Sequence, residues 1–365
     1  MDRQPVRPSP ARGASALGAL KGRCFVHPAF DYLVIGGGLS LVVTALLPSS
    51  GDLSFASVQI GGESVSLWPA ILLLCSSSHF ASSTVRLYAK PGAERSWPFL
   101  TRGLPLVALL VLTLSILESE HLGRHLVALF LTWSPYHYSA QAYGLAVMYS
   151  YRSGCEIGPR AKRWLWWICL MPFLHALSQS QEAGLAYLVP AGMLQRPPAA
   201  ELLALAARAL EVAMMVAPFA LYAAVWRSAS GPMPVISLLV VLANAVWWVV
   251  LAYKDAFMLS AVFHAIQYLG IVTIFHVRDQ LARPENRRGP LFHVLTFYGA
   301  SALLGYALFS CLPQAYVLAG FGMIESLVLV AAAINIHHFI VDAFIWRLRK
   351  GGDNRRIVDQ GAVAA

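Results

Sequence analysis

Four apolar stretches of the chain each carry histidine in mid-segment: His79, His137, His264 and the adjacent pair His337 and His338. An ionisable side chain kept inside hydrocarbon is costly, so its default reading is functional. Neutral imidazole ligates metals through either ring nitrogen, and imidazoles gathered at one level make a metal or haem site. Each histidine has polar company at helical spacing. Gln141 lies one turn after His137, Gln267 and Tyr268 follow His264 at i+3 and i+4, and Asp342 follows His338 at i+4. A carboxylate in that position ligates a metal or orients an imidazole that does. Ser76, Ser77, Ser78, Ser82 and Ser83 flank His79, and such small residues let helices approach closely. Any one of these histidines fits a hydrogen bond to a neighbouring helix equally well; the set is what favours a shared site.

The elements that must position them follow from composition. The chain is 58% hydrophobic and only 12% charged, with mean hydropathy +0.60, whereas a soluble domain carries roughly 25% charged residues. The fold class expected is all-α, a polytopic integral membrane helix bundle. Runs near the 20 residues needed to cross the hydrocarbon core fall at 31–49, 66–89, 98–117, 122–150, 163–185, 202–226, 233–253, 256–277, 291–311 and 317–346, which makes ten spans. Nearly all of the 27 Lys and Arg residues lie in the termini and alternate connections, including Arg86, Lys90, Arg152, Arg160, Arg278, Arg283, Arg347 and Arg356. The intervening connections hold only Arg124, Arg196 and Lys254, with Arg208 inside a span. The positive-inside rule then puts both termini in the cytoplasm and the protein in a bacterial-type inner (plasma) membrane. The same distribution accounts for the formal charge of +9 without nucleic acid. Residues 1–26 read as a disordered basic cytoplasmic tail, 27–350 as a single transmembrane domain and 351–365 as a second cytoplasmic tail. The 5 cysteines show no close pairing, so neither a disulfide framework nor a thiolate site is expected.

At about 1.5 Å per residue, the four histidine positions lie roughly 10 to 23 Å from the inner edge, and His175 falls in the same band. Other histidines have plainer readings. His121 and His125 form an HxxxH pair beside Glu118 and Glu120 at the external end of the fourth span, an interfacial charged cluster. His276 and His293 sit near the inner surface, and His27 with Asp31 reads as a helix start or an outer ligand pair, the cap being favoured. Gly36-Gly37-Gly38 suggests close helix packing, Trp164, Trp166, Trp167, Trp247 and Trp248 an interface belt. Segment 50–65 suggests a short external hairpin, and loop 178–201 a turn or short interfacial helix.

The stretches Ser78-His79-Phe80-Ala81, Phe263-His264-Ala265 and Ile336-His337-His338-Phe339-Ile340-Val341-Asp342 resemble the histidine-bearing helices of the Brp/Blh family of membrane β-carotene dioxygenases. The resemblance implies a multi-helix, iron-dependent enzyme that cleaves β-carotene with dioxygen to give retinal, with His79, His264, His337 and Asp342 at the motif positions. His137 joins them from the depth argument. Imidazole with a carboxylate and no thiolate suits iron, copper or zinc. The reading is therefore a mononuclear or dinuclear iron site held by His79, His137, His264, His337 or His338, with Asp342 supplying charge balance or orientation, and Tyr138, Tyr268 and Gln141, with Tyr136, shaping the pocket. Its partners would be an apolar lipid or isoprenoid substrate, dioxygen, membrane lipids and an electron-donor protein. Two other classes stay open: a haem-binding electron carrier with paired axial histidines, and a transporter or lipid-binding protein without catalytic metal.

Overall fold

The computed structural model describes residues 20–48, 56–60, 63–179, 183–228, 232–254, 256–348 and 352–359. Most of the amino-terminal tail and the end of the carboxyl-terminal one lie outside these residues. The chain is an all-α bundle. Its long helices are α1 in two parts, Pro28–Ile35 and Gly38–Leu46; α2, from Trp68 to Ala89; α3, Phe99–Leu117; α4, Arg124–Arg152; α5, Pro159–Gln179; α6, Pro197–Ser228; α7, Val235–Tyr253; α8, Met258–Leu281; α9, Pro290–Leu318; and α10, Met323–Ile345. A short α11, Asp353–Asp359, follows. The expected hairpin is present as antiparallel strands Ser57–Ile60 and Glu63–Ser66. The connection after α5 holds two single-turn helices, Leu185–Leu188 and Ala191–Leu194.

Among the described residues, α3, α6, α7, α8, α9 and α10 are long and apolar enough to cross a membrane, and the bent α1 makes a seventh. Leucines and valines on their outer faces, such as Leu106, Leu110, Leu202, Leu205, Val212 and Leu303, are more than half exposed. Apolar surface on this scale belongs against lipid. The remaining long helices, α2, α4 and α5, are as long as the others but more polar. In α2 and α4 that polarity comes from the serines, tyrosines and histidines around His79 and His137; in α5 it comes from Arg160, Lys162 and Arg163.

The structure departs from the expected spans in identifiable ways. The first is bent by 59°, because Gly37 adopts φ +81° and a Cβ there would sit 2.5 Å from Cβ of Ala243. The triple glycine is thus both a break and a close approach to α7. The ninth helix continues past residue 311, through a π-helical turn at Ala307–Cys311 and on to Leu318, so the tenth begins only after the turn at Gly320 (φ +100°). Trp247 is buried and donates Nε1–H to Ser40 Oγ at 2.8 Å, which removes it from an interface belt; Trp164 stays largely exposed.

One end of the bundle is tied to both terminal segments. Phe25, placed in the disordered tail by its sequence, is buried, as are Asn354, Ile357 and Val358 of α11. Three arginines expected in cytoplasmic connections hold these segments. Arg152 donates to the Cys24 carbonyl at 2.9 Å and to that of Val358 at 3.4 Å, and Arg278 to those of Phe25 at 2.7 Å and Ile357 at 3.2 Å. Arg86, 1% exposed, donates to Asn354 Oδ1 at 2.9 Å and stands 3.6 Å from the Asp279 carboxylate. A buried cation persists only when it is paired and hydrogen-bonded, and Arg86 finds its carboxylate at the end of α8 and its amide oxygen in α11, a segment that sequence reading leaves loose.

Candidate metal centre

The site forms where α2, α4, α8 and α10 meet: α10 packs on α2, α3 and α4, and α2 packs on α8, α9 and α10. In α2 a π-helical turn, Leu73–Ser77, immediately precedes His79. Such a one-residue insertion re-aims the residues that follow and is frequent at functional sites. It lies against α9 at Gly305, where a Cβ would come within 2.7 Å of the Ser77 carbonyl. Pro135 leaves α4 helical throughout, with the Ser139 hydroxyl donating to its carbonyl at 2.9 Å.

Four of the five expected histidines converge. Ring centroids are 4.5 Å apart for His79 and His338, 4.9 Å for His79 and His264, 4.9 Å for His137 and His338, and 5.2 Å for His137 and His264. One ligand atom each from His79, His137 and His264 lie within 4.8 Å of one another, and so do one each from His137, His338 and Asp342. His137 belongs to both groups. His337 does not join them; one residue turns a helix by about 100°, and its half-buried ring points to another face than that of His338.

The second ligands of these groups are already oriented. Ser83 Oγ lies 2.9 Å from His338 Nδ1 and 3.2 Å from the Phe80 carbonyl. With the hydroxyl donating to that carbonyl, Nδ1–H donates to Ser83 and Nε2 keeps its lone pair, the arrangement that fixes a ligating tautomer. Nε2 of His338 stands 3.3 Å from Nε2 of His137 and 3.5 Å from Asp342 Oδ2. Tyr268 donates its hydroxyl to Asp342 Oδ1 at 2.5 Å and accepts from Trp346 Nε1 at 3.1 Å, leaving Oδ2 toward the imidazoles. Tyr138 stacks on His264 at 3.8 Å with the rings 8° from parallel, a supporting wall rather than part of the cavity lining. Gln141 donates to Gln267 Oε1 at 2.8 Å, and Gln267 in turn to the Ile35 carbonyl at 2.7 Å.

All four ring nitrogens of His79 and His264 are buried with no hydrogen-bond partner. Leaving a buried polar group unsatisfied costs about 1–3 kcal/mol, and an ion held with His137 would satisfy one nitrogen on each of these two rings. Donors about 2.1 Å from a tetrahedral ion lie about 3.4 Å apart, so ligand atoms already within 4.8 Å of one another would close by no more than about 1.4 Å. The residues therefore fit a first-row metal ion. Beside them, a cavity of about 410 Å3 runs between α4 and α10, lined by His137, Gln141, Tyr268 and Asp342 at the site and by Tyr136, Gly144, Phe339 and Trp346 around it.

The other histidines stand apart. His175 pairs with Glu211 at 3.0 Å, and Tyr253 donates to the same carboxylate at 2.9 Å. His276 stacks on Phe297 at 4.3 Å, and His293 bonds Asn286 Oδ1 at 2.9 Å; both are buried. His27 caps α1, accepting from the Ala29 N–H at 3.2 Å. The Asp31 carboxylate, fully buried, accepts from the N–H groups of Phe25, Val26 and His27 and from the Tyr149 hydroxyl at 2.7 Å, which makes it a cap and not a ligand. His125 bonds the Tyr187 hydroxyl. Sequence reading missed Ser83 as a partner of His338, and Trp346, whose position one turn after Asp342 was the available signal. No protein-family model, curated protein or solved structure matches the chain.

Proposed function

We propose that the chain is a ten-span membrane oxidoreductase whose histidine-ligated metal, iron foremost, acts with dioxygen on a lipid-soluble substrate. The observation that carries this reading is the set of four orphaned nitrogens on His79 and His264 beside His137, His338 and Asp342. The ligand set is imidazole with one carboxylate, which suits iron with open positions, and such an ion brings oxygen activation when bound. His79, His137, His264 and His338 would hold one ion or two. Asp342, kept in place by Tyr268, balances charge and orients the adjacent imidazoles. The largely apolar cavity, open at one end, admits an isoprenoid, carotenoid or acyl chain.

The resemblance to the Brp/Blh dioxygenases supports the same assignment through His79, His264 and Asp342, with His338 in place of its neighbour. The rings lie edge to face and in contact with one another, an arrangement that favours a small ion over a porphyrin between paired histidines. Ten crossings follow if α2, α4 and α5 span as well, their polar residues facing inward; both termini then lie on the cytoplasmic side with most of the Lys and Arg.

Metal analysis of the detergent-purified protein tests the reading. Stoichiometric iron is expected in the native chain, falling to roughly a tenth or less in His264→Ala, beyond the loss that follows removal of an outer partner. A native chain without stoichiometric metal overturns the proposal, and a Soret band replaces it with the haem reading.

A further inference from the structure

The cavity beside the metal centre has a direction. Along α4 its lining residues are Trp133, Tyr136, His137, Ala140, Gln141, Gly144, Leu145 and Met148, one helical stripe about 22 Å long. The opposite wall is Phe339, Asp342, Ala343 and Trp346 of α10 and its end, with Tyr268 and Ile271 of α8 as floor. At one end Trp133 and Phe339 close on each other, ring centroids 5.8 Å apart. At the other end, at the inner ends of α4 and α10, stands Arg347, the one cation in the lining. Its Nε is used on the Ala343 carbonyl at 3.2 Å and its guanidinium lies 4.5 Å over the Phe344 ring, still exposed. The histidine level is about 16 Å from the Met148 end and about 6 Å from the Trp133 end.

We infer that this slot takes one hydrocarbon chain bearing an anionic head group, carboxylate or phosphate, entered from the inner face with the head at Arg347. The volume, about 410 Å3, is within the range of small-molecule sites. An exposed guanidinium at the mouth of an apolar slot selects carboxylate or phosphate through paired hydrogen bonds. The chain interior, not its head or its tip, then passes the imidazoles, which deepens the proposed function by naming the substrate class. The inference rests on that reading for its chemistry and is independent of it for binding.

Gly144 supplies the test. A Cβ at this position meets nothing within 4 Å, so a side chain can be introduced there, and Gly144→Phe places a ring at the slot wall. Trp133 and Trp346 lie in the lining and report a brominated chain through quenching of their fluorescence. The probes are a brominated fatty acid, an alkyl phosphate and a neutral alcohol of equal chain length, titrated into full-length protein in nanodiscs of neutral lipid. Metal content is measured on the same samples. Saturable quenching is expected with both acids, tenfold tighter than with the alcohol, lost in Gly144→Phe and in Ala343→Leu, and reduced to the alcohol's level in Arg347→Gln. Equal binding of acid and alcohol overturns the head-group assignment, and unchanged quenching in both filled variants overturns the slot. A fatty acid that binds without the phosphate, or the reverse, identifies the source of the head. Chain binding by protein that holds no metal sinks the proposed function while leaving the slot intact.

Discussion

At the scale of single residues, the centre depends on which ring nitrogens are free and which are spent. His338 spends Nδ1 on Ser83 and His264 spends neither nitrogen. Removing the Ser83 hydroxyl lets the His338 ring rotate and change tautomer, so Ser83→Ala is expected to weaken metal binding about 10- to 100-fold while the protein still folds. Competition with a chelator of known affinity measures it, and an unchanged constant would show that Ser83 does not orient the ligand. His337→Ala in the same assay is expected to leave affinity within about twofold of the native value, in line with ordinary substitutions away from a ligand set. The pair was the least legible part of the site. Depth along a helix follows from counting residues, and so His79, His137, His264 and His338 could be placed in one band from sequence, with Asp342 one turn from His338. The facing of two adjacent histidines depends on helix rotation, which packing sets and apolar sequence on all sides conceals.

At the scale of elements, the position of His79 is held by an unusually close crossing. The π-helical turn at Leu73–Ser77 lies against Gly305 of α9, and a methyl group at 305 would overlap the Ser77 backbone, which no rotamer change relieves. Gly305→Ala is expected to cost about 1–3 kcal/mol, the range for forcing extra volume into a packed interior, and to lower metal occupancy by moving α2. Thermal unfolding in detergent with metal analysis of the folded fraction checks both; a native transition temperature with full occupancy would mean that α9 does not position the site. The helices themselves were legible because their apolar runs are long, and the hairpin because Gly51, Asp52, Gly61 and Gly62 break the pattern. The breaks were not. Gly37 reads equally as a packing residue and as a hinge until Ala243 is seen opposite it, and a π-helical turn leaves no compositional mark in Leu-Leu-Cys-Ser-Ser.

At the scale of the whole molecule, the arrangement of crossings decides which face the slot and the arginine-tied ends meet. Arg86, Arg152 and Arg278 served sequence reading as markers of the inner side; they turn out to be fastened to the terminal segments, which keeps them at one face of the bundle by contact rather than by exposure. The decisive helix is α5, since Arg160, Lys162 and Arg163 leave it too polar to be recognised by hydropathy alone. If its 21 residues cross, about 31 Å of helix at 1.5 Å per residue, its ends face opposite compartments. Gly158 and Gly192 flank it, and Gly289 precedes α9; all three are exposed and have open space around a built Cβ. Substituted singly by cysteine in a chain whose native cysteines are serine, Gly192→Cys is expected to react with an impermeant maleimide on intact cells, and Gly158→Cys and Gly289→Cys only after permeabilisation. Positions 158 and 289 are separated by α5, α6, α7 and α8, an even number of crossings, so they must agree with each other and disagree with 192. Labelling of 158 and 192 from the same side would remove α5 from the membrane and leave an odd number of crossings between Arg152 and Arg278, which contradicts the contacts that hold both arginines against α11 at one end of the bundle.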